Sequence, residues 1–170
     1  MGKVIYSINI SLDGCCDHTK PIGADEETHQ YYAKLIQEAD LLAYGRKTYE
    51  LMVPYWPDVA KNPEGHSPTV IEFAKAFNAA EKVMFSRSTT TNLQEEILKL
   101  KQDKTILLGG VDVPSQLIKS GLVDEYLILV HPVVIGEGRR LLEDIYVQLK
   151  LVQSTIFKSG CVALRYINKG

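Results

Sequence analysis

From Lys3 to Leu12, Val4, Tyr6, Ile8 and Ile10 alternate with Ile5, Ser7, Asn9 and Ser11. A two-residue period with one apolar and one mixed face predicts a strand. Asp13-Gly14 ends it with a turn signal. Cys15 to Ala24 is polar and irregular, with Pro21 and Gly23. It reads as a loop of the length that usually covers something. The period then changes: Tyr32, Leu35, Ile36 and Ala39 give one apolar stripe to a helix opened by Asp25 and running to about Glu38. Asp25 and Glu26 suit its N-terminal dipole. A buried strand, Asp40 to Tyr44, runs into Gly45, and a short helix follows to about Val53. Pro54 to Pro68, rich in Pro, Gly, Asn and His, reads as loop. Ser67 and Pro68 form a cap and first turn for a helix whose stripe is Val70, Phe73, Ala74 and Phe77.

The second half repeats this alternation. Lys82 to Phe85 is a strand ending in Ser86-Arg87-Ser88. Asn92 with Glu95 resembles a capping box for a helix to about Lys101. Thr105 to Leu108 is a strand ending in Gly109-Gly110, and a helix from about Val113 to Lys119 is closed by Gly121. Glu125 to His131 is almost unbroken apolar sequence, as expected for a strand covered on both faces. Val133 to Gly138 is a second short apolar run with a glycine exit. Lys150 to Phe157 and Cys161 to Asn168 form a hairpin across Lys158-Ser159-Gly160. Strands that alternate with helices and then become adjacent predict an α/β fold. Its single sheet is mostly parallel and twisted, with helices on both faces and an antiparallel C-terminal hairpin. There are no repeats or linkers, so residues 1–170 read as one domain.

Composition narrows the function classes. The chain has 170 residues, 45% hydrophobic and 24% charged, which suits one globular core. The net charge of −2 and the lack of a basic block argue against nucleic acid as a partner. No apolar run approaches the roughly 20 residues of a membrane span. The N-terminus enters a strand at once, without a signal-peptide pattern. A cytoplasmic protein is expected. Three cysteines, Cys15, Cys16 and Cys161, make a poor disulfide framework. No CxxC or HxE spacing marks a metal site, so none is expected.

Three loops leave the ends of parallel strands: Gly45-Arg46-Lys47-Thr48, Ser86-Arg87-Ser88 and Gly109-Gly110-Val111. Ligands of open α/β sheets bind at such ends. Gly45 lets a ligand approach, Arg46 and Lys47 supply charge-assisted hydrogen bonds, and Thr48 is placed to cap the helix. Gly109-Gly110 exposes amides at a helix start. Ser86, Arg87 and Ser88 combine hydroxyls with a cation, which suits the extra phosphate that separates NADP from NAD. Each loop alone is equally an ordinary turn; together and in this order they read as a dinucleotide site. Competing motifs fail. There is no GxxxxGK[ST], and Gly136-Glu137-Gly138 starts like GxGxxG but meets Leu141 where the third glycine belongs.

These motifs in this order resemble the dihydrofolate reductase-like superfamily. They are most similar to the reductase half of the bacterial riboflavin-synthesis deaminase–reductase and its small stand-alone relatives. The residues are Ser11-Leu12-Asp13-Gly14, Gly45-Arg46-Lys47-Thr48-Tyr49-Glu50, Tyr55-Trp56-Pro57, Ser86-Arg87-Ser88, Gly109-Gly110 and Pro132 to Gly138. The resemblance implies a sheet of about eight strands, a homodimer and NADPH-dependent reduction of a small-molecule substrate. That substrate is heterocyclic (pterin or ribosylaminopyrimidine-like) or a carbonyl or imine. By position, Gly45, Arg46, Lys47 and Thr48 hold cofactor phosphates. Ser86, Arg87 and Ser88 hold the 2′-phosphate. Gly109, Gly110 and Val111 meet the pyrophosphate and nicotinamide side. The deaminase half is absent.

The substrate side is thinner. Asn9, Ser11 and Asp13 on the first strand and its turn, with Gly136, Gly138 and Arg139, border the expected pocket; each has an equally plain structural reading. A proton donor helps when an imine is reduced. In dihydrofolate reductases a carboxylate on the first helix binds the pterin. Here Glu27, with His29 second, takes that position, although helix N-termini attract acidic residues anyway. The rivals are a non-catalytic nucleotide- or ligand-binding protein on the same fold, an assembly module held by the apolar C-terminal strands, and true dihydrofolate reductase activity.

Overall fold

The first strand, β1 (Val4–Ser11), lies in the middle of the sheet, with Val4 to Ser7 and Ser11 buried. The computed structural model describes residues 1–170. In chain order the elements are β1, α1 (Glu26–Glu38), β2 (Leu41–Gly45), α2 (Arg46–Met52), α3 (Tyr55–Lys61), α4 (Pro68–Ala79) and β3 (Lys82–Phe85). They continue with α5 (Leu93–Leu100), β4 (Ile106–Leu108), α6 (Asp112–Lys119), β5 (Glu125–His131), β6 (Leu149–Ile156) and β7 (Val162–Asn168). One sheet contains every strand, in the order β3-β2-β4-β1-β5-β7-β6. The first five in that order are mutually parallel; β7 runs antiparallel to β5, and β6 to β7.

There are seven strands against the about eight that the resemblance implies. Val133 to Gly138 forms none. Its backbone is bound instead to the loop after β1: Leu12 N–H donates to Val133 O at 2.8 Å, and Gly136 N–H to the Asp13 carboxylate at 2.7 Å.

Alternation along the strands gives two cores. Ile5, Leu42, Tyr44, Leu107 and Leu127 face α1 and α4. Val4, Tyr6, Leu41, Ala43 and Ile106 face α5 and α6. Local signals start three of the helices where the residues suggest. Asp25 accepts from Thr28 N–H, Ser67 from Val70 N–H and Asn92 from Glu95 N–H.

Two local expectations are corrected. Pro54 to Pro68 is not all loop, because α3 occupies Tyr55–Lys61. Pro54 precedes the helix and Pro57 sits in its first turn, where a missing N–H costs nothing. Val59 is buried, and Trp56 packs on Phe73 with ring centroids 4.4 Å apart. Thr48 does not cap α2. Gly45 is the N-cap, and Thr48 lies inside the first turn with its side chain toward Gly110.

Candidate functional site

Because β3, β2 and β4 are adjacent and parallel, the loops after Phe85, Gly45 and Leu108 leave one edge of the sheet. The loops after β2 and β4 are in contact. A Cβ on Gly110 would stand 2.6 Å from Thr48 Oγ1, and a Cβ on Gly45 would stand 3.3 Å from Val113 on α6. Gly110 has φ of 85°, a conformation that glycine adopts without strain. A Cβ on Gly109 would fall 2.5 Å from the Tyr44 ring. This glycine pair is therefore required by packing, whatever else it binds.

The amides of Gly110, Val111 and Asp112 donate to no other backbone group, so the start of α6 offers three free N–H donors. Tyr6 Oη donates to Gly110 O at 2.8 Å and fixes the turn from the neighbouring strand. Burial pushes the Tyr6 phenol well above its ordinary value, so it stays protonated. One cation reaches the junction directly. Arg139 Nη2 donates to Asp112 Oδ1 at 2.5 Å. That bond holds the Asp112 carboxyl below the usual range, and the charges of Arg139, Lys47 and Arg87 act in the same direction. Lys47 and Arg87 are exposed and make no ion pair within the protein. Arg46 reaches only Glu50, at 3.8 Å on the helix surface. Ser86 Oγ is shared with Thr89 Oγ1 at 2.6 Å and Ser88 Oγ at 3.2 Å.

The residues expected on the substrate side are brought into one loop cluster. Asp13 accepts from Ser11 Oγ (2.6 Å), Ile135 N–H (3.1 Å) and Gly136 N–H (2.7 Å). Those three bonds, the Ser11 hydroxyl first, hold its carboxyl far below the usual range. Ser11 Oγ also accepts from Cys15 N–H at 2.9 Å. Gly138 lies against Cys15 and Asp17, where a Cβ would come within 3.0 Å of Cys15 Sγ. Arg139 O accepts from Cys16 N–H at 2.8 Å.

Glu27 and His29 make their contacts elsewhere. Glu27 accepts from Lys158 N–H in the β6–β7 turn at 2.6 Å. His29 lies edge-on to Trp56 and Phe73, with Nδ1 2.8 Å from Asp25 O.

Two residues of the rim, His131 and Asp112, had no advance notice in the sequence. His131 ends β5, is buried, and has Nε2 2.8 Å from Asn9 Oδ1. Because that oxygen can only accept, the imidazole donates through Nε2 and leaves the Asn9 NH2 group unbonded within the protein. Burial lowers the His131 pKa, while nearby Asp25 acts the other way. Asp112 is the second; a carboxylate two residues behind a Gly-Gly turn was its one available signal. A depression of about 530 Å³ between α1 and α4, with Ile36, Ala76 and Ala79 in its wall, lies away from this rim, beside the residues that lead into β2 and β3. Chemistry, not volume, marks the rim.

Five parallel strands, helices on both faces and an antiparallel C-terminal hairpin make this a dihydrofolate reductase-like α/β domain similar to the reductase domain of RibD. Residues 2–163 match the model of the RibD C-terminal domain, and the chain belongs to that family. It is 34% identical to YyaP of Bacillus subtilis (strain 168), over 96% of this chain and 94% of that one. Its fold is similar to that of a pyrimidine reductase-like protein from Corynebacterium diphtheriae (TM-score 0.70, 14% identity, covering 99% of this chain and 92% of that one). It is also similar to the diaminohydroxyphosphoribosylaminopyrimidine deaminase/5-amino-6-(5-phosphoribosylamino)uracil reductase of Thermotoga maritima (TM-score 0.67, 15% identity). There the match covers 99% of this chain and 57% of that one. No helix is long and apolar enough to cross a membrane.

Proposed function

We propose that this protein is a cytoplasmic, NADPH-dependent oxidoreductase. It reduces a small heterocyclic substrate of the pterin or ribosylaminopyrimidine kind, or a related carbonyl or imine. The observation that carries the reading is the junction of β2–α2 with β4–α6. Three amides there donate to no other backbone group, and Lys47 and Arg87 on the adjoining loops have no ion-pair partner in the protein. Free N–H donors with unpaired cations suit a polyphosphate, and membership of the RibD C-terminal domain family supports a reductase.

In this reading Gly45, Arg46, Lys47 and Thr48 hold cofactor phosphates, and Gly109, Gly110 and Val111 lie against the pyrophosphate. Ser86, Arg87 and Ser88 hold the 2′-phosphate. The cofactor supplies the hydride. The chain's own work is to bind, orient and exclude water. Asn9 offers a donor whose direction is fixed by His131. Ser11 and Asp13 hold the Gly136–Arg139 loop, with Gly138 against Cys15, at the border of the substrate pocket. Uptake of a proton by an imine falls to Glu27 or, second, His29. The structural bond from Lys158 weighs against Glu27. The reading includes a homodimer, supported by an edge strand β6 with Leu151, Val152 and Ile156 exposed.

The test is titration of NADPH and NADH into wild type and Arg87→Ala. Loss of one charge-assisted contact predicts about ten-fold weaker NADPH binding, with NADH unchanged. Equal NADPH binding by both proteins removes Arg87 from the site. NADPH binding without oxidation in the presence of pterins, ribosylaminopyrimidines or simple carbonyls favours the non-catalytic rival.

A further inference from the structure

Asp112 is out of keeping with its surroundings. It opens α6 beside three free amides, among the cations that the dinucleotide reading needs. An acidic residue in a first helical turn is common and normally serves its own helix. Here, however, the carboxylate takes no backbone N–H of α6. Its bonded partner is Arg139, 27 residues away, at 2.5 Å. The charges of Lys47, from the adjoining start of α2, and of Arg87, just after β3, favour the ionised carboxylate as well. The first-turn contact of Thr48 with Gly110 and of Gly45 with Val113 brings these segments together independently of charge. Arg139 is thus bonded to this carboxylate, while Lys47 and Arg87 stand on the adjoining loops without an ion pair.

We propose that Asp112 is an internal counter-ion of this rim, standing in for an anionic ligand and holding Arg139 until a dinucleotide phosphate takes that arginine over. Asp112 thereby sets how tightly the rim binds its cofactor. The proposal rests on the dinucleotide reading above.

Exchange of this kind requires a cheap bond and a fixed backbone. The pair is exposed, with side-chain exposures of 49% for Arg139 and 63% for Asp112. Exposed ion pairs add little stability and are readily given up, and a phosphate offers arginine a stronger, two-pronged acceptor. The backbone beneath Arg139 does not need to move. It is fastened by Cys16 N–H to Arg139 O, by Leu141 N–H to Gly14 O and by Gly136 N–H to Asp13. Only a long, flexible side chain changes partner. With Asp112 present Arg139 is paired, while Lys47 and Arg87 make no ion pair within the protein. Without it, Arg139 too is left without an ion-pair partner.

The test is a two-residue cycle read by NADPH titration. Wild type, Asp112→Asn, Arg139→Gln and the double variant are compared, with thermal unfolding to establish that each is folded. Asp112→Ser replaces Asp112→Asn if the amide variant does not fold. The expected result is that Asp112→Asn binds NADPH roughly two- to five-fold more tightly than wild type, and that this gain shrinks when Arg139 is absent. An unchanged or weaker affinity in Asp112→Asn, with wild type binding NADPH, overturns the counter-ion role and leaves the cofactor reading standing. A gain of equal size in both Arg139 backgrounds overturns the partner exchange and leaves a general charge effect. No NADPH binding by any of the four proteins overturns the cofactor reading, and the counter-ion with it.

Discussion

Gly109→Ala isolates what the glycine pair does for the fold. Gly109 closes β4 by donating to Ala43 O at 3.2 Å, and its φ is not in the left-handed region, so the backbone accepts alanine. The obstacle is the new methyl. It would lie 2.5 Å from Tyr44 Cε1 and 2.9 Å from Cδ1. Carbon atoms pack best at about 3.5–4.0 Å, so the ring must retreat by about 1 Å. Tyr44 is 6% exposed and lies against the fully buried Phe77, ring centroids 6.3 Å apart, so it has nowhere easy to go. Overpacking costs about 1–3 kcal/mol, offset by about 0.4–1 kcal/mol from the stiffer unfolded chain. The net loss is about 1–2 kcal/mol, or a fall in Tm of about 2–8 °C for a chain of this size. Urea unfolding followed by the single tryptophan, Trp56, measures it. The same substitution in a Tyr44→Leu background, where the ring is gone, should cost far less. An equal cost in both backgrounds, or none in the wild-type background, would refute the packing argument. Gly109 would then be free to be explained by a ligand alone.

Two further outcomes follow from the loop cluster and the thiols. Asp13→Asn should destabilise the protein near neutral pH, because a carboxylate that accepts from Ser11 Oγ, Ile135 N–H and Gly136 N–H becomes an amide. The folded pKa of Asp13 is depressed, so its stabilisation is present above the unfolded value and is lost as pH falls toward the folded one. The gap between wild type and Asp13→Asn in urea unfolding should therefore narrow below roughly pH 4; a gap that stays constant into acid would disprove the assignment. Among the cysteines, Cys15 and Cys161 are buried, and burial with nearby Asp25 pushes the Cys161 thiol up to about 11. Ellman's reagent should modify only Cys16 in the native protein near neutral pH, and all three cysteines after denaturation. Rapid labelling of Cys161 in the folded state would contradict this.

The chain by itself determined whatever depends on near neighbours. Two-residue alternation in β1, the continuous apolar run of β5 and the hairpin closed by Lys158-Ser159-Gly160 are local patterns, and they fix strands wherever they occur. The caps Asp25, Ser67 and Asn92 act within three residues of themselves, so they too were legible. The fold class followed from the order of these elements, and the family resemblance from motifs spread along the chain. The tertiary structure decided what depends on contacts between distant segments. Pro54 and Pro57 read as breakers until Trp56 and Val59 were packed against α4, where burial outweighed local punctuation. Thr48 read as a cap until the β4–α6 turn was set against it. Glu27 read as an acid at a helix start until the β6–β7 turn brought Lys158 N–H to it across 131 residues. Asn9 with His131, and Asp112 with Arg139, pair residues 122 and 27 positions apart. No periodicity encodes such pairs. They exist because the strand order β3-β2-β4-β1-β5-β7-β6 sets β5 beside β1 and gathers the loops of separate strands at one edge of the sheet.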